Sequence, residues 1–227
     1  MRLPCGGRLD ALVERVPPDD TAIAELRRLA EARAVARWRS DGFVRRCGAA
    51  DGSEHAEADA VADVLYPPPQ RLAVIGWDPF ALAIAAAGGA LGWATTLIRP
   101  AGPDAPPPVD AAYSRLPVDQ ALTWLRPDPW TAVAIVTHDL ELDHDALVAA
   151  LGTRAGYVRV LGARRRLPER LARLRDAGLD EAALARLRAP IGPDIGAANP
   201  REVAVAVTAE VVALRRVQAP TTAQAAA

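Results

Sequence analysis

Lysine is absent from this 227-residue chain, so all 27 of its basic residues are arginine. Without an ε-amino group, the chain cannot supply a Schiff-base lysine, a Walker lysine or a lysine general base. The 28 acidic residues bring the formal net charge to −1, and the pI lies near 6.3. Nucleic-acid-binding domains usually carry a strongly basic face, so this balance argues against a nucleic-acid partner.

Cysteine is nearly absent as well, since only Cys5 and Cys47 occur. Two such distant cysteines form neither a disulfide framework nor a Cys-x-x-Cys metal site. The N-terminus also lacks the basic and then apolar pattern of a signal peptide. We therefore expect a cytoplasmic protein.

Long hydrophobic runs are limited to one segment, the 20 uncharged residues between Asp78 and Arg99. This length matches a transmembrane helix. However, Gly88, Gly89 and Gly92 lie in its middle, which predicts a helix, a glycine turn and a strand. We expect no membrane segment.

From residue 71 onwards, short apolar runs alternate with helical patterns. The predicted strands are 72–76, 93–98, 132–136 and 157–161, and the predicted helices are 79–87, 118–125, 143–151, 168–177 and 200–216. Strand alternating with helix predicts an α/β fold, a Rossmann-like doubly wound parallel sheet over residues 71–217. Residues 218–227 lack apolar periodicity and are expected to be disordered.

A small, partial α+β module is predicted for residues 1–66. Residues 8–16 alternate as a half-buried strand would, a helix begins at Asp19-Asp20, and residues 34–39 alternate again. Residues 41–63 are polar and acidic, and no regular element is assigned there. Tyr66-Pro67-Pro68-Pro69 then forms a stiff, extended connector, and we place the domain boundary at the Pro-rich linker 67–70.

The first strand-to-helix turn of the larger domain reads Gly76-Trp77-Asp78-Pro79-Phe80-Ala81. A dinucleotide site needs Gly-x-Gly-x-x-Gly/Ala, so that backbone amides approach a pyrophosphate. Asp78 adds a side chain and a negative charge where the phosphate would lie, which argues against ordinary NAD(P) binding. Asp78 and Pro79 instead fit an N-cap and a first helical residue.

Two motifs follow predicted strands, and their residues are expected to share one site at the carboxyl edge of the sheet. The first, Thr137-His138-Asp139-x-Glu141-x-Asp143, allows ligand binding or proton transfer by His138 and Asp139. Equally, His138 could be bonded within a turn, with Asp139 or Asp143 capping the next helix.

The second motif, Leu161-Gly162-Ala163-Arg164-Arg165, places arginines before a helix, where their guanidinium groups could bind a phosphate. The alternative is a solvated basic run. A third motif, Ala189-Pro190-Ile191-Gly192-Pro193-Asp194-Ile195-Gly196, is glycine-rich. Asp194 fits a turn residue there, with a ligand contact as the other interpretation.

These motifs, together with Leu3-Pro4-Cys5-Gly6-Gly7-Arg8-Leu9 and the proline connector, resemble the xanthine dehydrogenase accessory protein family of the XdhC/CoxI type. The resemblance runs from about Leu3 to Arg216. It implies a chaperone, with no catalysis required of this chain, that binds the molybdenum cofactor (molybdopterin) as cargo and protects it during sulfuration. It also implies two partners, an apo molybdenum hydroxylase and a cysteine desulfurase-type sulfur donor.

The candidate cofactor-binding residues combine this resemblance with the strand-end motifs. They are Cys5, Gly6, Gly7, Gly76, His138, Asp139, Asp143, Gly162, Arg164, Arg165, Asp194 and Gly196. Cys5 has a second interpretation as a small buried residue, and no metal site is predicted.

The chain departs from the family pattern at two places. Family members usually begin with a longer segment that holds a Ser-Gly-Gly-Cys-Val-Glu motif, which this sequence lacks. We therefore expect a homo-oligomer or a partner that supplies the absent half. The family turn is usually Gly-x-Gly-His-x-Ala, whereas this chain has Asp78-Pro79 at the Gly-His pair. Two other functions stay open: a nucleotide-dependent oxidoreductase or transferase, and a degenerate interaction subunit.

Overall fold

The computed structural model describes residues 11–50 and 60–218, with side chains described through residue 215. The chain divides into two compact units, of which the larger is Pro69–Arg215. Cys5, Gly6 and Gly7 lie outside the described residues.

The smaller unit contains one helix and one antiparallel sheet. Helix α1 is Thr21–Glu31, and the strands are β1 Ala36–Ser40, β2 Arg45–Ala49 and β3 Ala62–Tyr66, in the order β2-β1-β3. The Asp20 carboxylate accepts hydrogen bonds from the Ala22 and Ile23 amides and so caps α1. The helix predicted after Asp19-Asp20 is therefore confirmed.

Two expectations for this unit need correction. Within residues 11–16, the described part of the strand expected at 8–16, the chain has no strand. Val13 is 91% exposed, and Glu14 instead binds the side chains of Ser40 and Arg45, so the alternation faces no core. Strands β2 and β3 lie within or overlap the segment left unassigned. Neither strand has a fully buried residue, and β3 exposes its apolar Val64 and Tyr66, so no alternation of buried apolar and exposed polar residues marks them in the sequence.

The larger unit is built on six parallel strands. They are β4 Arg71–Gly76, β5 Ala94–Ile98, β6 Ala112–Ser114, β7 Thr131–Val136, β8 Tyr157–Val160 and β9 Leu187–Arg188, in the order β6-β5-β4-β7-β8-β9. The order reverses between β4 and β7, which is the topological switch point of a Rossmann fold. The predicted fold class is thus confirmed.

Helices cover both faces of this sheet. They are α2 Pro79–Ala90, α3 Val118–Leu125, α4 Leu140–Leu151, α5 Leu167–Asp176, α6 Glu181–Ala185 and α7 Pro200–Gln218. Leu72 and Val74 of β4 pack with α2 and α7, whereas Ala73 and Ile75 pack with α3 to α6. Every side chain of β4 beyond Arg71 is therefore buried on one face or the other.

Several boundaries differ from the sequence predictions. Helix α2 runs through Gly88 and Gly89, which were expected to end it. Close packing explains the glycine at position 88, since a Cβ atom there would lie 2.6 Å from the side chains of Leu72 and Thr95. Strands β6 and β9 and helix α6 were not predicted, since two to five residues carry too little periodicity. Gln218 is the last residue of α7 and not part of a tail, and residues 219–227 lie outside the described chain.

Among the described helices, none combines the length and the apolar character that crossing a membrane would need.

Candidate functional site

The turn between β4 and α2 lies at the switch point of the sheet. Gly76 has φ +151°, and a Cβ atom there would lie 2.5 Å from the Val136 carbonyl oxygen of β7. Only glycine fits this close approach of two strands. The Asp78 Oδ1 atom accepts a hydrogen bond from the Ala81 amide at 2.9 Å, and Pro79 follows as the first helical residue. The expected N-cap role of Asp78 is confirmed.

Asp78 also contacts His138, which follows the neighbouring strand β7. The His138 Nε2 atom lies 2.6 Å from Asp78 Oδ2. The imidazole is about half exposed, and its ring centroid is 5.7 Å from that of Phe80. His138 adopts the left-handed conformation, with φ +60°, which is uncommon for a residue with a side chain. The turn therefore holds this imidazole at the carboxyl edge in a defined position.

The two aspartates that follow His138 have different roles. Asp139 caps α4, because its Oδ1 accepts hydrogen bonds from the Glu141 and Leu142 amides. Asp143 is almost fully buried, and its carboxylate accepts hydrogen bonds from Thr137 Oγ1 at 2.7 Å and Arg170 Nη2 at 2.9 Å. These contacts join the end of β7 to α4 and α5, so Asp143 fixes the position of the turn that carries His138 without being exposed itself.

A short arginine-rich segment follows β8. Gly162 has φ +146°, and Arg164–Arg166 form one 3₁₀ turn directly before α5. All three arginine side chains are exposed, and none makes a hydrogen bond or ion pair with another described residue. The nearby Arg170 instead lies close to Gly162, since a Cβ there would be 3.2 Å from Arg170 Nη2. Uncompensated positive charge therefore collects at this strand end.

Among the described residues, the remaining candidates Asp194 and Gly196 make no hydrogen bond or ion pair with the residues at the ends of β4, β7 and β8. Asp194 and Gly196 are exposed, and the Asp194 carboxylate accepts a hydrogen bond from the Gly196 amide at 3.3 Å within one turn.

In the smaller unit, burial raises the pKa of the half-buried Cys47 thiol, and Glu25 adds to the increase. A raised pKa leaves little thiolate at neutral pH.

Two features of the site were missed from the sequence. The pairing of Asp78 with His138 carried a partial signal, since each follows a predicted strand by two positions, but it also required that β4 and β7 be adjacent, with Gly76 and Val136 as register partners. The role of Arg170 carried no comparable signal, since it depends on the packing of α5 against α4.

Residues 72–211 match the model of the XdhC Rossmann domain. The chain belongs to the XdhC family. Among curated proteins, YqeB of Escherichia coli strain K12, an uncharacterized protein, is 34% identical over 91 residues, which are 40% of this chain and 16% of YqeB. The XdhC match includes the segments after β4, β7 and β8 and the glycine-rich loop at 189–196.

A solved structure is similar to this XdhC-family chain over most of its length. It is a crystal structure described as a xanthine dehydrogenase from Bacillus halodurans, with a TM-score of 0.62 and 20% identity. The match covers 88% of the present chain and 65% of the other. At this identity the similarity supports the fold alone. The chain spans less than two thirds of the length of either relative.

Proposed function

We propose that this chain is an accessory protein that binds the molybdenum cofactor as cargo and helps to deliver it to a molybdenum hydroxylase of the xanthine or carbon monoxide dehydrogenase type. The observation that carries the proposal is the XdhC match over residues 72–211. The matched stretch contains the residues gathered at the switch point, where ligands of this fold bind.

The chemistry of the β8 end fits the phosphate of such a cargo. Arg164 and Arg165 are exposed and have no partner among the described residues, so their guanidinium groups can bind an anion without breaking an ion pair. They directly precede α5, whose N-terminal dipole adds positive potential. We assign the phosphate contact to Arg164 and Arg165, with Gly162 leaving the backbone accessible.

The β7 end supplies a group that can exchange a proton with the cargo. His138 binds Asp78 through Nε2, which leaves Nδ1 without a partner among the described side chains. Asp139 fixes the start of α4, while Gly76 and Asp143 fix the adjoining strand ends. We assign His138 a direct contact with the cargo and these three residues positioning roles.

Sulfuration needs a sulfur donor, and the described part of the chain offers a poor one. Cys47 is half-buried, and its raised pKa disfavours the nucleophilic thiolate. We therefore propose a separate cysteine desulfurase-type donor. Cys5, Gly6 and Gly7 stay candidate contacts by resemblance, as do Asp194 and Gly196.

The test is anaerobic gel filtration of the chain with released molybdenum cofactor, reading pterin fluorescence after oxidation. We expect co-elution with the wild type and a loss of about tenfold or more in Arg165→Ala, because a charged hydrogen bond is removed. Arg154→Ala is the matched control. Arg154 is also exposed but precedes β8 at the opposite edge of the sheet.

Failure of the folded wild type to retain pterin would overturn the proposal that this chain carries the cofactor by itself. Attention would then turn to a second copy or to a partner that supplies further cofactor contacts, or to a chain that acts only as an interaction subunit. Equal loss in Arg154→Ala and Arg165→Ala would reject the assigned phosphate site.

A further inference from the structure

The turn after β4 keeps two of the three features of a dinucleotide-binding turn. Gly76, at the first glycine position, permits the close approach to the Val136 carbonyl. Ala81, at the last position, is fully buried and lets α2 pack against the sheet. These are the folding roles of the first and third small residues in the Gly-x-Gly-x-x-Gly/Ala pattern. Only the position that faces the pyrophosphate is different.

Asp78 occupies that position, and its carboxylate makes the contact that a phosphate oxygen would make. Oδ1 accepts a hydrogen bond from the Ala81 amide in the first turn of α2. Helix N-terminal amides are the donors that bind phosphates in this fold. Pro79 has no N–H to offer. The carboxylate therefore uses an amide that a ligand would need.

His138 holds the second oxygen of the same carboxylate. Its Nε2 atom lies 2.6 Å from Oδ2, and it comes from the opposite side of the switch point, after β7. The Thr137 hydroxyl donates to the Asp143 carboxylate and accepts from the Asp139 amide, which fixes the turn that contains His138. Asp78 is thus held at both oxygens and is only 19% exposed.

We propose that Asp78, held by His138, is a built-in substitute for a ligand phosphate that makes the crevice reject pyrophosphate-bearing dinucleotides. A phosphate at this turn would meet a negative charge and an amide that already has its acceptor. An anionic ligand entering the crevice must place its charge elsewhere, and Arg164 and Arg165 offer that place. The inference goes beyond the proposed function and does not depend on the identity of the cargo.

The test is a gain of binding. We would titrate ADP-ribose, which carries a pyrophosphate, into the wild type and into Asp78→Gly by calorimetry. Removing the carboxylate frees the Ala81 amide and restores the second glycine of the pattern. We expect ADP-ribose to bind Asp78→Gly at least about tenfold more tightly than the wild type, the effect of one hydrogen bond to a charged group.

Asp78→Ser guards against a folding defect, because serine keeps an N-cap hydroxyl while removing the charge. It should also gain binding. Asp180→Gly is the matched control: Asp180 caps α6 by accepting from the Ala183 amide at 2.7 Å, away from the switch point. It should gain nothing.

Three outcomes would overturn the inference. One is tight binding of ADP-ribose by the wild type. Another is no gain in either Asp78 variant when circular dichroism shows both to be folded. The third is an equal gain in Asp180→Gly, which would make the effect unspecific. None of these outcomes bears on molybdenum cofactor binding, which the gel filtration measures separately.

Discussion

Gly76 ends strand β4 and begins the turn that carries Asp78, so it affects both the sheet and the candidate site. A Cβ at this position would lie 2.5 Å from the Val136 carbonyl oxygen, and φ is +151°. We expect Gly76→Ala to lower the free energy of unfolding by about 2 kcal/mol or more, because β4 and β7 must move apart. Urea denaturation monitored by circular dichroism measures this change.

Gly178→Ala separates backbone strain from steric clash. Gly178 has φ +90°, yet a Cβ there would meet nothing within 4 Å. Its cost should be strain alone, about 1 kcal/mol. If Gly76→Ala were no more costly than Gly178→Ala, the close approach of β4 and β7 would not be a constraint.

At the scale of elements, one buried ion pair joins α4 to α5. The Asp143 and Arg170 side chains are 3% and 12% exposed. We expect Arg170→Ala to destabilise the protein by about 3 kcal/mol, because it leaves a buried carboxylate without its counter-charge. Thermal or urea unfolding measures the loss, and Asp143→Asn combined with Arg170→Met should recover part of it.

The neighbouring pair on the same two helices is the control. Arg173 binds Glu141 at 2.6 Å, but the two side chains are 37% and 74% exposed. Solvent screens such pairs, so Arg173→Ala should change the stability little. Equal losses for Arg170→Ala and Arg173→Ala would show that burial of the Asp143 pair contributes nothing.

The central strands and most helices of the larger unit could be predicted, because the strands are continuous apolar runs and the helices repeat apolar residues over several turns. The runs at 72–76 and 132–136 became the central strands β4 and β7, and α3 has the predicted bounds, Val118–Leu125. Strands β2 and β3 could not be predicted, since neither has a fully buried residue that would mark an apolar face.

For the whole molecule, sequence position identified the edge of the sheet at which functional residues gather but not which of them touch. Asp78 and His138 are 60 positions apart, and only the strand order β4-β7 makes them neighbours. Asp143 belongs to the same sequence motif as His138, yet its side chain is buried and His138 is about half exposed. Motifs therefore predict the site's location, while packing decides which side chains a ligand can reach.

The packing of α7 on the sheet predicts how the stability of the whole molecule depends on pH. Tyr157 of β8 is 3% exposed, and its hydroxyl lies near the Glu210 carboxylate of α7. Burial, together with the nearby Glu210 charge of α7, raises its pKa well above the ordinary value of 10.0. In the unfolded chain the phenol ionises near pH 10, whereas in the folded protein it keeps its proton.

Above pH 10 the unfolded state therefore binds fewer protons, and stability should fall by up to about 1.4 kcal/mol per pH unit through this residue. Tyr157→Phe should remove that dependence. Urea denaturation between neutral pH and pH 11 measures the effect. Tyr66→Phe, which removes an exposed hydroxyl, should reproduce the wild-type curve. If Tyr157→Phe and the wild type lost stability in parallel above pH 10, the buried phenol would not control alkaline unfolding.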